Sequence, residues 1–134
     1  DFSRVPSHLR FAVDACRAGQ ECAFFEDEYR CPVLADELAD SILTLAGMER
    51  RAAGSVIHLA GADRIDRWWF GVRLLKVLGF PTGLVRRGSA KKMSIIRPSD
   101  CSLDCSRAKR IAGISLRGVK EVLGEQCPRG NQDG

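Results

Sequence analysis

The chain has 134 residues, 45% of them apolar and 28% charged, with a formal net charge of +4. That is enough for one ordinary domain with a packed core, and no run of about 18 apolar residues offers a membrane-spanning helix. The start, "DFSRVPSHLRFAVDAC", has no basic segment followed by an apolar one, so a secretory leader is not expected, and without an initiator Met the chain reads as an excised or processed piece.

Residues 3–18 predict a helix, with Leu9, Val13 and Cys16 on one face and Gly19 as the stop. "ECAFF", 21–25, predicts a short strand. "EDEYRCP" connects it to a helix over 33–46, with Pro32 at or near its first turn. Leu34, Leu38, Ile42 and Leu45 form that helix's apolar stripe, and Asp36 and Glu37 suit the positive end of its dipole. Asp36 and Asp40, one turn apart, read as a solvated face rather than an acid–base pair.

"SVIHLAG", 55–61, predicts a buried strand. A helix over 66–78 follows, capped by Asp66, burying Phe70, Leu74, Val77 and Leu78 and ending at Gly79. Of the adjacent Trp68 and Trp69, about 100° apart on a helix, one can enter the core and the other an edge. Then come a short strand "LVR", a basic loop "RGSAKK", the stretch "MSII", a short helix over 106–111 and another over 116–123. Residues 125–134 predict a disordered tail. Helices and strands alternate, so the chain is of the α/β or α+β class.

Charge is uneven. Residues 1–83 carry 10 Lys/Arg against 12 Asp/Glu, and residues 84–134 carry 11 against 5. The basic part could meet an anionic partner, but it has no aromatic residue on which a single-stranded nucleic acid would stack, so nucleic acid is not the expected partner. The six cysteines include no Cys-x-x-Cys pair, and both histidines are distant from them in sequence. Neither a zinc site nor a disulfide framework is expected; reduced thiols in a cytoplasmic setting are.

Several chemistries lack their residues. There is no Gly-x-Gly turn for a dinucleotide, no Gly-x-x-x-x-Gly-Lys phosphate loop, no Gly-x-Ser-x-Gly elbow, and the single tyrosine, Tyr29, is followed four residues later by Val33 rather than lysine. No catalytic or metal residue is therefore assigned. Two arginines stand out. Arg30 precedes Cys31-Pro32 and a helix N-terminus, where backbone amides favour anions; Arg97 precedes Pro98 in the basic part. On spacing alone, the plainer reading of each is a surface or interface arginine.

Three stretches in order, "FFEDEYRCPVLADELADSILTL", "GSVIHLAGADRIDRWWFGVRLLKVLGF" and "RPSDCSLDCSRAKRIAGI", resemble the C-terminal, substrate-binding part of extended short-chain dehydrogenases/reductases. They are most similar to the dTDP-4-dehydrorhamnose reductase-like branch, which includes the regulatory β subunit of methionine adenosyltransferase. The resemblance implies a partial Rossmann-type α/β fold with few short strands and four to five helices, residues 1–124 forming the substrate-binding domain. It implies that Arg30 and Arg97 contact the diphosphate of a nucleotide sugar, with Tyr29 and Asp100 flanking the pocket. It further implies NAD(P) for a full-length parent, no cofactor in this fragment, and a missing N-terminal Rossmann half as partner. The alternative it leaves is a regulatory module that docks on another protein. Ala35 stands where the family has Tyr, Val or Ile before the helix acid, which leaves the sugar open.

Overall fold

A computed structural model describes residues 7–48, 54–93 and 97–125. Among these are five α-helices, one 3-10 turn and four short strands. They divide into two compact units, residues 1–29 with 65–100 and residues 30–64 with 101–134. Of the expected tail over 125–134, Glu125 belongs to the last helix; residues 126–134, with 1–6, 49–53 and 94–96, lie outside the described residues.

The first unit begins with α1, Ser7–Arg17. Its predicted face is the buried one: Leu9 and Val13 are in the core together with Ala12, and Cys16 packs beside them. Strand β1, Cys22–Phe25, pairs in parallel with β4, Val85–Gly88, in the register Cys22↔Val85 and Phe24↔Arg87. Acids flanking β1 meet arginines of β4: Glu21 accepts from Arg86 at 2.6 Å and Glu26 from Arg87 at 3.1 Å. Both pairs are about half exposed, so solvent screening leaves each with a small contribution.

Helix α3, Arg67–Val77, follows the two-residue strand β3, Ile65–Asp66. Asp66 caps it as predicted, its carboxylate accepting the Trp69 amide at 2.7 Å. The buried face overlaps the expected one in part. Phe70 and Leu74 pack against the core as expected, but the buried residues are Gly71 and Leu75, and Leu78 is 40% exposed. The cause is aromatic packing: a Cβ on Gly71 would stand 2.5 Å from the Phe24 ring, so only glycine lets the helix lie this close. Phe24 in turn meets Phe11, centroids 5.3 Å apart. After β4, Ala90–Lys92 form the 3-10 turn η1 where a basic loop was expected.

The second unit contains α2, Ala35–Ala46; α4, Ser106–Ala112; and α5, Val119–Glu125. Helix α2 starts at Ala35, with Leu34 in the cap position, so Pro32 precedes the helix instead of opening it. Of its expected apolar stripe, Leu34, Leu38 and Leu45 are half-buried, but Ile42 is 52% exposed and Ser41 is the buried residue. Asp36 and Asp40 are solvent-exposed, as a solvated face requires. The core of this unit draws on Ala60, Ala108, Leu116, Val119, Val122 and Leu123.

The predicted buried strand over 55–61 does not form. Val56 is 75% exposed, and only the Ala60–Gly61 end is buried. A strand needs a ladder partner, and here side chains take the carbonyls instead: Arg107 donates to Val56 O at 3.1 Å, and the Cys105 thiol faces Ala60 O at 3.7 Å. Gly113, at φ 69°, ends α4 in the left-handed conformation that glycine adopts without strain.

Candidate functional site

The first unit gathers its polar chemistry just after β1. Asp27 accepts the Ser89 hydroxyl at 2.6 Å, the Ala90 amide at 2.7 Å and the Lys91 amide at 3.3 Å. The hydroxyl and amide bonds favour the charged carboxylate and hold it at a pKa of about 2. One carboxylate thereby caps η1, whose amides would otherwise lack partners.

Glu28 comes next and is 0% exposed. Its carboxylate accepts from Arg67 Nη1 at 2.9 Å, and its carbonyl accepts the Arg67 amide at 3.0 Å. A buried carboxylate is costly unless paired, and Arg67 provides the pairing at the start of α3. Alongside, the Arg87 guanidinium lies 3.7 Å over the Trp68 ring, a cation–π contact. Trp68 packs against the core, and both tryptophans are half-buried.

Tyr29 follows. Its amide donates to Ser99 O at 2.7 Å, and it forms a parallel bridge with Asp100. The two residues expected to flank a pocket are therefore brought together from 71 positions apart in the chain. Arg97 lies two residues ahead of Ser99 in the chain. Its side chain is exposed and makes no hydrogen bond or ion pair with another described residue. A guanidinium in that state has five donors and can take two oxygens of a phosphate at once.

Arg30 is half-buried and is the first residue of the second unit, following Tyr29 along the strand β2, Tyr29–Arg30. Within its own unit the following residues are tightly placed. A Cβ on Gly61 would collide with the Pro32 carbonyl oxygen, so the close approach of this backbone requires glycine there. In the first turn of α2, Glu37 accepts from both the side chain and the amide of Arg117, and these bonds lower its pKa. At the start of α4, Asp104 accepts the Ser106 amide at 2.8 Å, which lowers its pKa in the same way. A recess of about 230 Å³ in this unit is lined by Gly61, Asp104, Cys105, Ser106, Lys109 and Leu116 among others. None of the four predicted site residues lines it.

Of the four expected site residues, Tyr29 and Asp100 are joined by the bridge, Arg97 is exposed and Arg30 is half-buried; Asp27, Glu28 and Arg67 are not singled out in the sequence. Asp27 has its partners 62 to 64 residues away and Glu28 39 away, so no local spacing signals either. The five described cysteines, 16, 22, 31, 101 and 105, are free thiols.

No protein-family model and no curated protein matches the chain. Solved structures do. A hypothetical dTDP-4-dehydrorhamnose reductase from Sulfolobus tokodaii is 28% identical, with a TM-score of 0.64 over 83% of this chain and 39% of its own. A dTDP-4-dehydrorhamnose reductase ortholog from Clostridium acetobutylicum is 16% identical, with a TM-score of 0.73 over 92% of this chain and 43% of its own. The Bacillus anthracis reductase, solved with NADP, is 12% identical, with a TM-score of 0.70 over 90% of this chain and 42% of its own. The chain thus spans about two fifths of the length of these structures. The resemblance read from the three sequence stretches extends to the fold: the chain is mixed α/β and similar to part of a dTDP-4-dehydrorhamnose reductase.

Proposed function

We propose that the chain is the substrate-binding part of an NAD(P)-dependent nucleotide-sugar reductase and that it holds the diphosphate of a nucleotide sugar. The observation that carries this reading is the exposed guanidinium of Arg97, without a polar partner among the described residues and three positions before the Asp100 of the Tyr29–Asp100 bridge, in a fold similar to dTDP-4-dehydrorhamnose reductases. Arg97 is a phosphate contact, Arg30 a second one, and Tyr29 and Asp100 border the bound sugar nucleotide. Residues 1–124 are the binding domain. Hydride transfer needs a dinucleotide turn and a proton-transfer tyrosine–lysine pair, and this stretch contains neither. Those groups belong to a preceding Rossmann half of the parent, which binds NAD(P). The free thiols suit a reducing, cytoplasmic setting.

Calorimetric titration with dTDP and with dTDP- and UDP-sugars tests the reading. Binding should weaken about 10- to 150-fold on Arg97→Ala and on Arg30→Ala, the scale of about 1.5–3 kcal/mol for a hydrogen bond to a charged group. Absence of binding by the folded chain, or binding indifferent to both substitutions, refutes the clamp. One observation favours a second reading, a module that docks on another polypeptide: Ile42, Leu43 and Val56 of the second unit are all more than half exposed. Nucleotide-independent complex formation, lost on Leu43→Asp, would favour it.

A further inference from the structure

The stretch Arg86-Arg87-Gly88-Ser89 sits at the end of β4, and the nucleotide reading makes no use of it. Its two arginines are exposed, at 55% and 57% of their side-chain surface. Ser89 opens η1, a single 3-10 turn held by Lys92 N to Ser89 O at 3.3 Å and Met93 N to Ala90 O at 3.0 Å. Lys91, Lys92 and Met93 are exposed. The Ser89 hydroxyl is half-buried and donates to Asp27, the carboxylate that also receives Ala90 and Lys91. A short 3-10 turn with poor hydrogen-bond geometry belongs to the part of a fold that opens at low cost.

We infer that Ser89 is a phosphorylation site for an arginine-directed serine kinase, and that its phosphorylation unlocks η1 from Asp27. The recognition argument is charge pattern: kinases that select basic substrates read arginines two and three positions ahead of the serine, here Arg87 and Arg86, with an acidic groove. In the transfer, the Ser89 Oγ–phosphorus bond forms with the γ-phosphoryl group of a nucleoside triphosphate. The bond from that phosphorus to the bridging oxygen breaks, the nucleoside diphosphate leaves, and the hydroxyl proton passes to the kinase's base.

The consequence follows from the 2.6 Å separation of Ser89 Oγ and Asp27. That gap holds one hydrogen and no phosphate. A phosphoserine carries about −1.5 to −2 charges at neutral pH and would face an ionised carboxylate, with Glu26 one residue away. The closed turn and the phosphate therefore exclude one another, and modification traps the open form. Four basic side chains, Arg86, Arg87, Lys91 and Lys92, flank the serine and compensate the phosphate once the turn is open. Conversely, the Asp27 tether limits how often Ser89 is presented, so the rate of modification follows the open fraction.

The full chain, incubated with Mg-ATP and a purified arginine-directed serine kinase and followed by intact mass and peptide mapping, tests this. One phosphate on Ser89 is expected, absent in Ser89→Ala. Arg86→Gln with Arg87→Gln should slow the reaction at least about tenfold, and Asp27→Ala should speed it several-fold. A peptide spanning residues 84–93 serves as the unfolded control. Phosphorylation of the peptide but not of the chain or its Asp27→Ala variant overturns the site, as does a peptide the kinase ignores. So does a phosphate carried on another serine. Amide exchange at Ala90 and Lys91 should quicken in the phosphorylated chain; unchanged protection overturns the unlocking.

Discussion

Removing Arg67 should damage the first unit far more than an ordinary surface substitution. Glu28 is completely buried and the Arg67 side chain is 26% exposed, with 2.9 Å between Nη1 and Oε2. Arg67→Ala removes the cation 2.9 Å from this buried carboxylate. Breaking a buried pair from one side costs about 3–5 kcal/mol, and the partial exposure of Arg67 lets water enter and keeps the value near the lower end, about 3 kcal/mol. The main-chain bond from the Arg67 amide to Glu28 O survives the change. Glu28→Gln keeps shape and one acceptor and should cost less, about 1.5–2 kcal/mol, the loss of the charged part of the bond. The double change Glu28→Leu with Arg67→Met, which strands no charge, should cost less than Arg67→Ala alone. Urea unfolding read by the fluorescence of Trp68 and Trp69, the residues next in line, measures all three. With a slope of about 2 kcal/mol per molar, Arg67→Ala should lower the midpoint by about 1.5 M. A loss below about 1 kcal/mol, or a double variant worse than Arg67→Ala, refutes the claim that the pair is buried and interdependent.

Four further outcomes follow from the same geometry. Asp27 has its pKa lowered from the ordinary 3.8 to about 2, so its stabilising bonds are fully present above about 4 and are lost as pH falls from about 4 to 2; Asp27→Asn should flatten the acid limb of an exchange or unfolding profile in that window. Glu37, lowered by its bonds to Arg117, loses its contribution on the same acid side, so Arg117→Ala should raise the Glu37 carboxyl pKa seen by NMR. Gly61→Ala should cost at least about 2 kcal/mol, because the added methyl meets the Pro32 carbonyl oxygen and backbone has to move. Leu75→Ala, at a fully buried position, should cost about 2–5 kcal/mol, whereas Leu43→Ala, at a position 69% exposed, should stay within about 0.5 kcal/mol in calorimetric or urea unfolding.

Much of the local architecture was legible in the sequence because it rests on local rules. Leu9 and Val13 declared the buried face of α1, Asp66 declared the cap of α3, and Gly79 marked where that helix stops. What misled was apolarity taken as burial. Ile42 follows the helical spacing of Leu34, Leu38 and Leu45 yet is exposed, while the adjacent Ser41 is covered, since spacing alone does not fix the centre of the covered face. The run around Val56 had strand propensity, but its carbonyls found Arg107 and Cys105 rather than a ladder, and propensity yields to tertiary partners. The candidate site was half visible. Tyr29 and Asp100 stood out through their setting in family-like stretches, and the bridge joins them. The ionic frame behind them, Asp27 with Ser89 and Glu28 with Arg67, depends on contacts 62 and 39 residues long, which no window of spacing can contain.

The division of the chain bears on how it can be cut and how it forms. Each unit is assembled from two separate segments, with passages at residues 29/30, 64/65 and 100/101. No contiguous expression fragment reproduces either unit alone: stopping after residue 64 leaves β1 without β4 and Phe24 without Gly71. The parallel pairing of Cys22 with Val85 must close a loop of more than sixty residues before it gains anything, which makes β1–β4 a late and slow step for so small a protein. During synthesis the first strand therefore waits, unpaired, while the whole 30–64 segment emerges, and a helper that shields strand edges has that interval in which to act.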